Sequence, residues 1–448
     1  MDARAVEAQN NQPVPDTVGQ RVYDLAARLF PICRSLSGEG VRETLAILGE
    51  YIPLEMHHIP SGETLFDWKA PQEWIIREAY IKGADGRRIV DFASNNLHVV
   101  NYSVPVYANM PLGELKSHIH TLPEQPDLIP YRTCYHAETW GFCIAHDDLM
   151  AMKDETYEVV IDSERRDGFL ARGECVLKGK TDETFILSAH LCHPSLANDN
   201  CSGLAVLARV GEALKERKTK LTYRLLFGPA TFGALAWLQQ NESQLDRVKY
   251  GLVLSCLGDG GGPNYKRSRR GDAETDQIMD YVLGTSEIAG AAMLDFWPYG
   301  YDERQFCSPG FNLPIGMFQR SLYGTFPEYH TSADNLDFIK PEHLEQSYQM
   351  IMQAIDIAER NWVPVSTSPK GEPQLGKRGL YSNVGGDRHA AENAMAMLWV
   401  LNLADGTYSI LEMSRRAKLP FVVMADAADR LLAAGLLKAA ANHDLSEK

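Results

Sequence analysis

The sequence predicts an α/β fold, a mixed and largely parallel sheet with helices on both faces, joined to a mostly β insertion and a C-terminal helix-turn-helix module. Three observations predict it. From Tyr157 onward, short apolar strand-like runs alternate with amphipathic helical runs, the pattern of strands crossed over by helices. Between about residues 67 and 150 that alternation gives way to short aromatic and β-branched runs broken by turns. Beyond a proline-rich stretch (Pro364, Pro369, Pro373), two short helical runs follow a turn.

The elements follow in chain order. Residues 18–50 repeat apolar residues with helical spacing, Val22, Leu25 and Leu29, then Val41, Leu45 and Leu48, joined through Ser35-Leu36-Ser37-Gly38. After Ser61-Gly62 come β runs such as Trp74-Ile75-Ile76 and Leu97 to Tyr102, continuing to about Ile144. Strands are expected at Val159 to Asp162, Gly173 to Leu177, Phe185 to Ala189, Tyr223 to Phe227 and Leu252 to Cys256. Helices are expected at Leu204 to Lys215 and Phe232 to Gln240. The last segment reads as helix (Ala390 to Asn402), turn (Ala404-Asp405-Gly406), helices at Ile410 to Ala417 and Val422 to Ala434, then Gly435-Leu436-Leu437, the pattern of a winged helix-turn-helix. The expected organisation is a discontinuous main domain over 18–66 and 151–365, a β-rich insertion over 67–150 that shapes or walls off the site, and a winged helix over 371–448.

Composition bounds the function. No apolar run is long enough to cross a bilayer, and residues 1–17 are polar with no signal-peptide core, so a cytoplasmic protein without membrane partners is expected. Eight cysteines are scattered without a C-x-x-C pair, which fits reduced thiols. A formal charge of -15 argues against chain-wide affinity for nucleic acid. In the winged module the second helix offers Phe421, Val422, Val423 and Asp426 where a DNA reader shows Arg, Lys or Asn. Protein contact or dimerisation, and so a homo-oligomer, is the role expected of it.

The chemistry begins at His190, which ends the run Thr184 to Ala189, at the carboxyl end of a strand where α/β folds gather their functional groups. Nine residues on, Asp199 opens a helical stretch, and far downstream His330 lies in Tyr329-His330-Thr331-Ser332. Taken singly, His190 could be a hydrogen-bonded core histidine and Asp199 a helix cap. Taken together, two histidines and an aspartate, each past an apolar run and before a turn, point to a metal site. Three such ligands leave one position open, the count of a catalytic zinc, and imply about one zinc per chain. His193 is a fourth ligand, an outer hydrogen-bond donor or a plain loop histidine. Lys266-Arg267-Ser268-Arg269-Arg270, after the glycines of 258–262, is either a solvated loop or a cationic clamp for a carboxylate or phosphate.

At these residues the sequence resembles the M28-type zinc aminopeptidases, in particular a bacterial aminopeptidase-like branch with an inserted DUF2172 domain and a C-terminal winged helix. The motifs are Ser188 to Asn200 (SAHLCHPSLANDN), Tyr301 to Asn312 (YDERQFCSPGFN) and Glu328 to Leu336 (EYHTSADNL), with Leu375 to Tyr381 introducing the last domain. The resemblance covers nearly the whole chain after residue 18 and implies the zinc-peptidase-like, three-layer α/β fold. It also shows departures. Where the family has adjacent glutamates, a base and a metal ligand, this chain has Ala230-Thr231; where it has a liganding aspartate, this chain has Cys256, read here as a buried structural thiol. Its Asp-His is Asp302-Glu303, which leaves Glu303 as the substitute base for proton transfer or an extra ligand, at a single-metal site.

The expected function is therefore hydrolysis of an amide or peptide bond in a small, carboxylate-bearing peptide or aminoacyl substrate. His190, Asp199 and His330 would hold zinc, and Arg267, Arg269, Arg270 and Arg304 would meet the substrate's anions. The rivals are a metal-assisted acyl transferase or cyclase, and a catalytically silent ligand-binding regulator.

Overall fold

Apolar spacing builds the first elements. Helix α1 (Val18–Leu29) buries Val22, Leu25, Ala26 and Leu29, and the Thr17 hydroxyl caps it by accepting from the Gln20 N–H at 3.1 Å. Helix α2 (Glu39–Gly49) buries Val41, Leu45 and Leu48 in the same way. A computed structural model describes residues 16–380 and 388–440 of the chain. It divides into one compact unit up to Met352 and another from Gln353.

Two larger sheets dominate the first unit. The smaller has four strands, β2 (Glu73–Lys82), β3 (Arg88–Asp91), β4 (Val106–Pro111) and β5 (Thr156–Arg166), in the antiparallel order β3-β2-β5-β4. Val159 to Asp162, expected to open the main sheet, thus belong here: their alternate residues Val159 and Ile161 are buried, which is the pattern of a strand with one covered face.

The larger sheet has eight strands: β1 (Glu55–Pro60), β6 (Phe169–Leu177), β7 (Thr184–His190), β8 (Thr222–Gly228), β9 (Val248–Leu254), β10 (Asn264–Lys266), β11 (Ala292–Leu294) and β12 (Ile315–Gln319). Their order is β1-β6-β8-β7-β9-β12-β10-β11. Strands β8, β7, β9 and β12 run parallel, and antiparallel pairs flank them on both sides, so the sheet is mixed as expected. Every residue of β7 is buried, the mark of a central strand covered on both faces. Burying Phe185, Ile186 and Leu187 contributes on the order of 1.5–3 kcal/mol each. Helices α3 (Gly203–Lys215) and α4 (Phe232–Asn241) begin just beyond β7 and β8, and α5 (Glu274–Gly284) packs near β9. His190 is the last residue of the central strand, so the topology delivers it to the strand-end edge between the starts of two helices.

Helix α6 (Pro341–Arg360) leads into the second unit, where α7 (Arg388–Leu403), α8 (Ile410–Ala417) and α9 (Phe421–Ala433) lie in sequence between the paired antiparallel strands β13 (Pro364–Ser366) and β14 (Leu437–Ala439). Helix α8 has a reciprocal cap between Ser409 and Glu412. On α9, Val422 and Leu432 are exposed, and the Asp426 and Asp429 carboxylates both accept from Arg360 at 2.6 Å. No helix among the described residues is long and apolar enough to cross a membrane.

Candidate active site

Asp199 is not a helix cap. It lies in a wide turn, residues 197–202, ahead of α3, with non-helical backbone angles, and its side chain is fully buried. The neighbouring asparagines fix the turn: Asn198 Nδ2 donates to Asp259 Oδ2 at 2.8 Å, and Asn200 Nδ2 to the Leu254 carbonyl at 3.0 Å. The backbone N–H groups of Asn198 and Asp199 donate to the Asp334 carboxylate at 2.5 and 3.0 Å. The backbone is thereby satisfied by others, and the Asp199 carboxylate is left to face the site.

There it meets an imidazole on each oxygen. His190 Nε2 lies 2.9 Å from Oδ1 and His330 Nε2 lies 3.0 Å from Oδ2, while the Tyr301 hydroxyl donates to Oδ2 at 2.9 Å. The structure thus brings together all three residues expected to hold metal. His193 joins them: its ring centroid is 4.9 Å from that of His190 and 5.1 Å from that of His330. The Arg34 guanidinium holds its loop, donating to the His193 carbonyl and to Cys201 Sγ, both at 3.0 Å. Burial pushes His193 down to about 3, so it is neutral with a free nitrogen lone pair. Burial would raise Asp199, but His193, His190 and His330 outweigh it and hold the carboxyl well below its ordinary range.

Tyrosines wall the cluster. Tyr301 stacks on His190 at 4.4 Å and Tyr329 on His330 at 3.9 Å. Tyr131, from the segment between β4 and β5, sets its edge against His193 and His330 at 5.2 and 5.1 Å. Its N–H also donates to the His330 carbonyl at 2.8 Å. That fixes His330 in a left-handed conformation (φ 55°), costly for a residue with a Cβ. The His330 side chain is 31% exposed, whereas those of His190 and Asp199 are wholly buried, so solvent reaches the cluster from the His330 side.

The donor set suits zinc. One donor atom each from His190, His193 and Asp199 lie within 4.8 Å of one another, so modest side-chain shifts would bring them to the separation of about 3.3 Å between ligands of a tetrahedral zinc. This grouping differs from the expected one, because His193 stands in it and His330 sits on the other carboxylate oxygen. One contact works against tight binding: Asn200 Nδ2 lies 3.2 Å from His190 Nδ1, with the amide oriented by Gly203 N–H on its Oδ1 at 3.1 Å. A metal-ligating imidazole usually finds an acceptor there, not a donor.

The remaining expected residues are placed otherwise. Glu303 is fully buried in an ion pair with Lys266 Nζ at 2.7 Å and accepts the Tyr301 N–H at 3.0 Å, so its carboxylate is taken up in holding Tyr301. Arg267 faces Asp280 at 3.7 Å, and Arg269 and Arg270 donate to Asn312 at 3.1 and 2.7 Å. Arg304 lies over the Tyr299 ring at 5.7 Å. These contacts tie the basic run to α5 and to the loop carrying Asn312, and among the described residues no hydrogen bond joins it to the histidine cluster. Cys256 is buried, and burial raises its thiol well above the ordinary range, the state of a structural cysteine. Asp302 is buried with Oδ2 3.3 Å from the Ser188 hydroxyl and no hydrogen-bond partner for Oδ1.

Sequence reasoning missed Tyr131, Tyr301, Tyr329 and Asp334 as parts of the site. Three of them stand inside the recognised motifs, beside named candidates, and could have been found by adjacency; Tyr131 has no local signal.

A family model described as a domain of unknown function, DUF4910, matches residues 23–361. The chain belongs to the DUF4910 family. The match runs unbroken through residues 67–150, so the DUF2172 expected there is not the model that fits; the DUF4910 region takes in both sheets. A winged helix-turn-helix model matches residues 362–439. This DUF4910 chain is 46% identical over 422 residues to a Clostridium acetobutylicum protein provisionally described as a polysaccharide biosynthesis protein with an aminopeptidase-like domain, covering 94% of this chain and 96% of that one. It is similar to the crystal structure of a provisionally assigned peptidase from the same species, with TM-score 0.88, 45% identity, and 94% and 96% of the two chains covered. It also resembles BSAP, a zinc aminopeptidase from Bacillus subtilis, with TM-score 0.55 and 14% identity over 78% of this chain and 96% of that one, a likeness of fold alone.

Proposed function

We propose that this DUF4910 protein is a zinc-dependent hydrolase of an amide bond. The observation that carries the reading is Asp199, a fully buried carboxylate with an imidazole on each oxygen and a third imidazole beside them, at the carboxyl end of the central parallel strand. A buried anion is tolerated at such a place when it is paired or ligates a metal. The Clostridium relative's description as aminopeptidase-like accords with amide chemistry.

In this reading His190, His193 and Asp199 hold the metal. When bound, zinc supplies a Lewis acid that polarises the amide carbonyl and makes water acidic near neutral pH. Asp199 Oδ2 fixes the His330 tautomer with the proton on Nε2, which leaves Nδ1 to take a proton from the attacking water. The water oxygen bonds to the carbonyl carbon, the C–N bond breaks, and His330 returns the proton to the leaving amine. Tyr301 and Tyr329 hold the two histidines in register, and the Lys266–Glu303 pair holds Tyr301. The winged module serves protein contact, since the outward face of α9 is apolar and acidic.

The test is turnover of an aminoacyl-anilide panel by zinc-loaded protein. His330→Ala is expected to lose about 10²- to 10⁴-fold in kcat while keeping its zinc, the range of a lost general base. No turnover of any panel member, or full activity in His330→Ala, sinks this reading.

A further inference from the structure

A hairpin packed against α4 displays two half-exposed aromatic rings. The hairpin pairs Thr64 with Lys69 and Leu65 with Trp68. Turn tips favour glycine, asparagine, aspartate and proline, yet this two-residue tip opens with Phe66, 40% exposed, and the strand residue that follows it, Trp68, is 46% exposed. Phe66 also adopts a left-handed backbone (φ 54°), which an aromatic residue keeps only under constraint.

The constraint is visible. Leu65 is buried beneath the tip, and the Gln239 side chain of α4 accepts from the Phe66 N–H at 3.0 Å and donates to the Thr64 carbonyl at 3.1 Å. Trp68 is propped edge-on by Phe232, the first residue of α4, at 5.7 Å and 83°, and tilted against His136 at 5.8 Å. Phe66 meets Phe311 edge-on at 5.6 Å. Exposed rings held this firmly form a preorganised platform.

Two chain segments link the platform to the cluster. Phe232 follows Ala230, whose N–H lies 3.4 Å from Cys192 Sγ, next to His193. His136 ends the segment whose Tyr131 packs on His193 and His330. A substrate with its reacting amide at His330 would therefore carry its more distant part toward Trp68.

We propose that Trp68 is the stacking subsite for a pyranose ring, so that the amide hydrolysed at the histidine cluster is borne by a sugar or short glycan. This rests on the hydrolase reading for where the amide lies, but the subsite has its own readout. A sugar has an apolar C–H face for the indole and a polar rim for the neighbouring His136. An aromatic peptide side chain calls for a closed, water-excluding pocket instead, and this platform is open. Asp67 and Lys69 at the tip carry opposite charges, so the tip offers no net charge to an ionic group.

The experiment titrates zinc-loaded full-length protein with N,N′,N″-triacetylchitotriose, maltotriose and the peptide Ala-Phe-Ala, reading the indole signals of tryptophan-labelled protein by NMR. At least one trisaccharide is expected to saturate and to shift one indole, that signal being absent from Trp68→Ala. Trp68→Ala is expected to weaken its binding at least about tenfold, and Trp68→Phe less. His190→Ala, free of zinc, keeps the sugar binding, so a failed hydrolysis assay and a failed subsite are distinguishable. The proposal is overturned if neither trisaccharide saturates, if Trp68→Ala binds as well as wild type, or if only the peptide takes the site. It is equally overturned if Trp68→Ala turns a dimer into a monomer, which would make the platform a self-association surface.

Discussion

At the scale of single residues, the site is a contest over the protons of His190. Asn200 presents an amide donor to His190 Nδ1, which favours the tautomer with its proton on Nε2, toward Asp199. Zinc must displace that proton, so Asn200→Asp, which places an acceptor at Nδ1, should tighten zinc binding about tenfold in a competition titration. Because the same amide also donates to the Leu254 carbonyl, the variant is first shown to keep the wild-type Tm; unchanged affinity in the folded variant would then mean that His190 does not bind through Nε2. Asp302 offers a second residue-scale outcome. Burial raises its carboxyl to about 7, above the unfolded value, so the stability tied to its neutral form is complete in acid and lost as pH rises through about 7. With chelator present throughout, Asp302→Asn should raise Tm more at pH 8 than at pH 5. An equal gain at both pH values would refute the buried neutral carboxyl. His190, Asp199 and His330 were legible because each closes an apolar run within a dense polar motif. The contacts of Glu303 and the arginines were not, because they are made by partners distant in sequence: Lys266 for Glu303, Asn312 for Arg269 and Arg270.

At the scale of elements, the segment from Trp297 to Glu303 decides where Tyr301 stands. Lys266 and Glu303 are each fully buried, and Lys266 also lies over the Trp297 ring at 4.4 Å. Gly300 makes this possible, since a Cβ there would come within 1.8 Å of Glu303 Oε1. Gly300→Ala should therefore push Glu303 off its lysine and destabilise the protein by about 3 kcal/mol, as breaking a buried ion pair does, read as a lower urea midpoint. A midpoint within error of wild type would show that the segment tolerates the shift. Most helices and core strands were readable from spacing alone; α8, over residues 410–417, is one case. Val159 to Asp162 were misplaced because a strand's own sequence shows which of its faces is covered but not which sheet covers it. The hairpin at residues 64–69 gave little sequence signal, its two-residue tip opening with Phe66 where a turn residue is usual.

At the scale of the whole molecule, a mixed sheet brings a strand end, a wide turn and a distant loop to one carboxylate, and the segment carrying Tyr131 closes over it. The α/β class and the winged module were legible from the order of periodic runs. The convergence of Tyr131 on His330 was not, since they are far apart in sequence and joined through a backbone hydrogen bond that no side-chain pattern announces. The central claim is that Asp199, His190 and His193 bind one zinc while His330 serves the reaction from the other oxygen. The most direct measurement is zinc per chain by elemental analysis on purified wild type, His190→Ala, His193→Ala and His330→Ala, each first shown to be folded. The account predicts about one zinc in wild type and in His330→Ala, and less than about a tenth of that in the other two. Zinc lost from His330→Ala but kept by His193→Ala would contradict it, and so would wild-type protein that binds none.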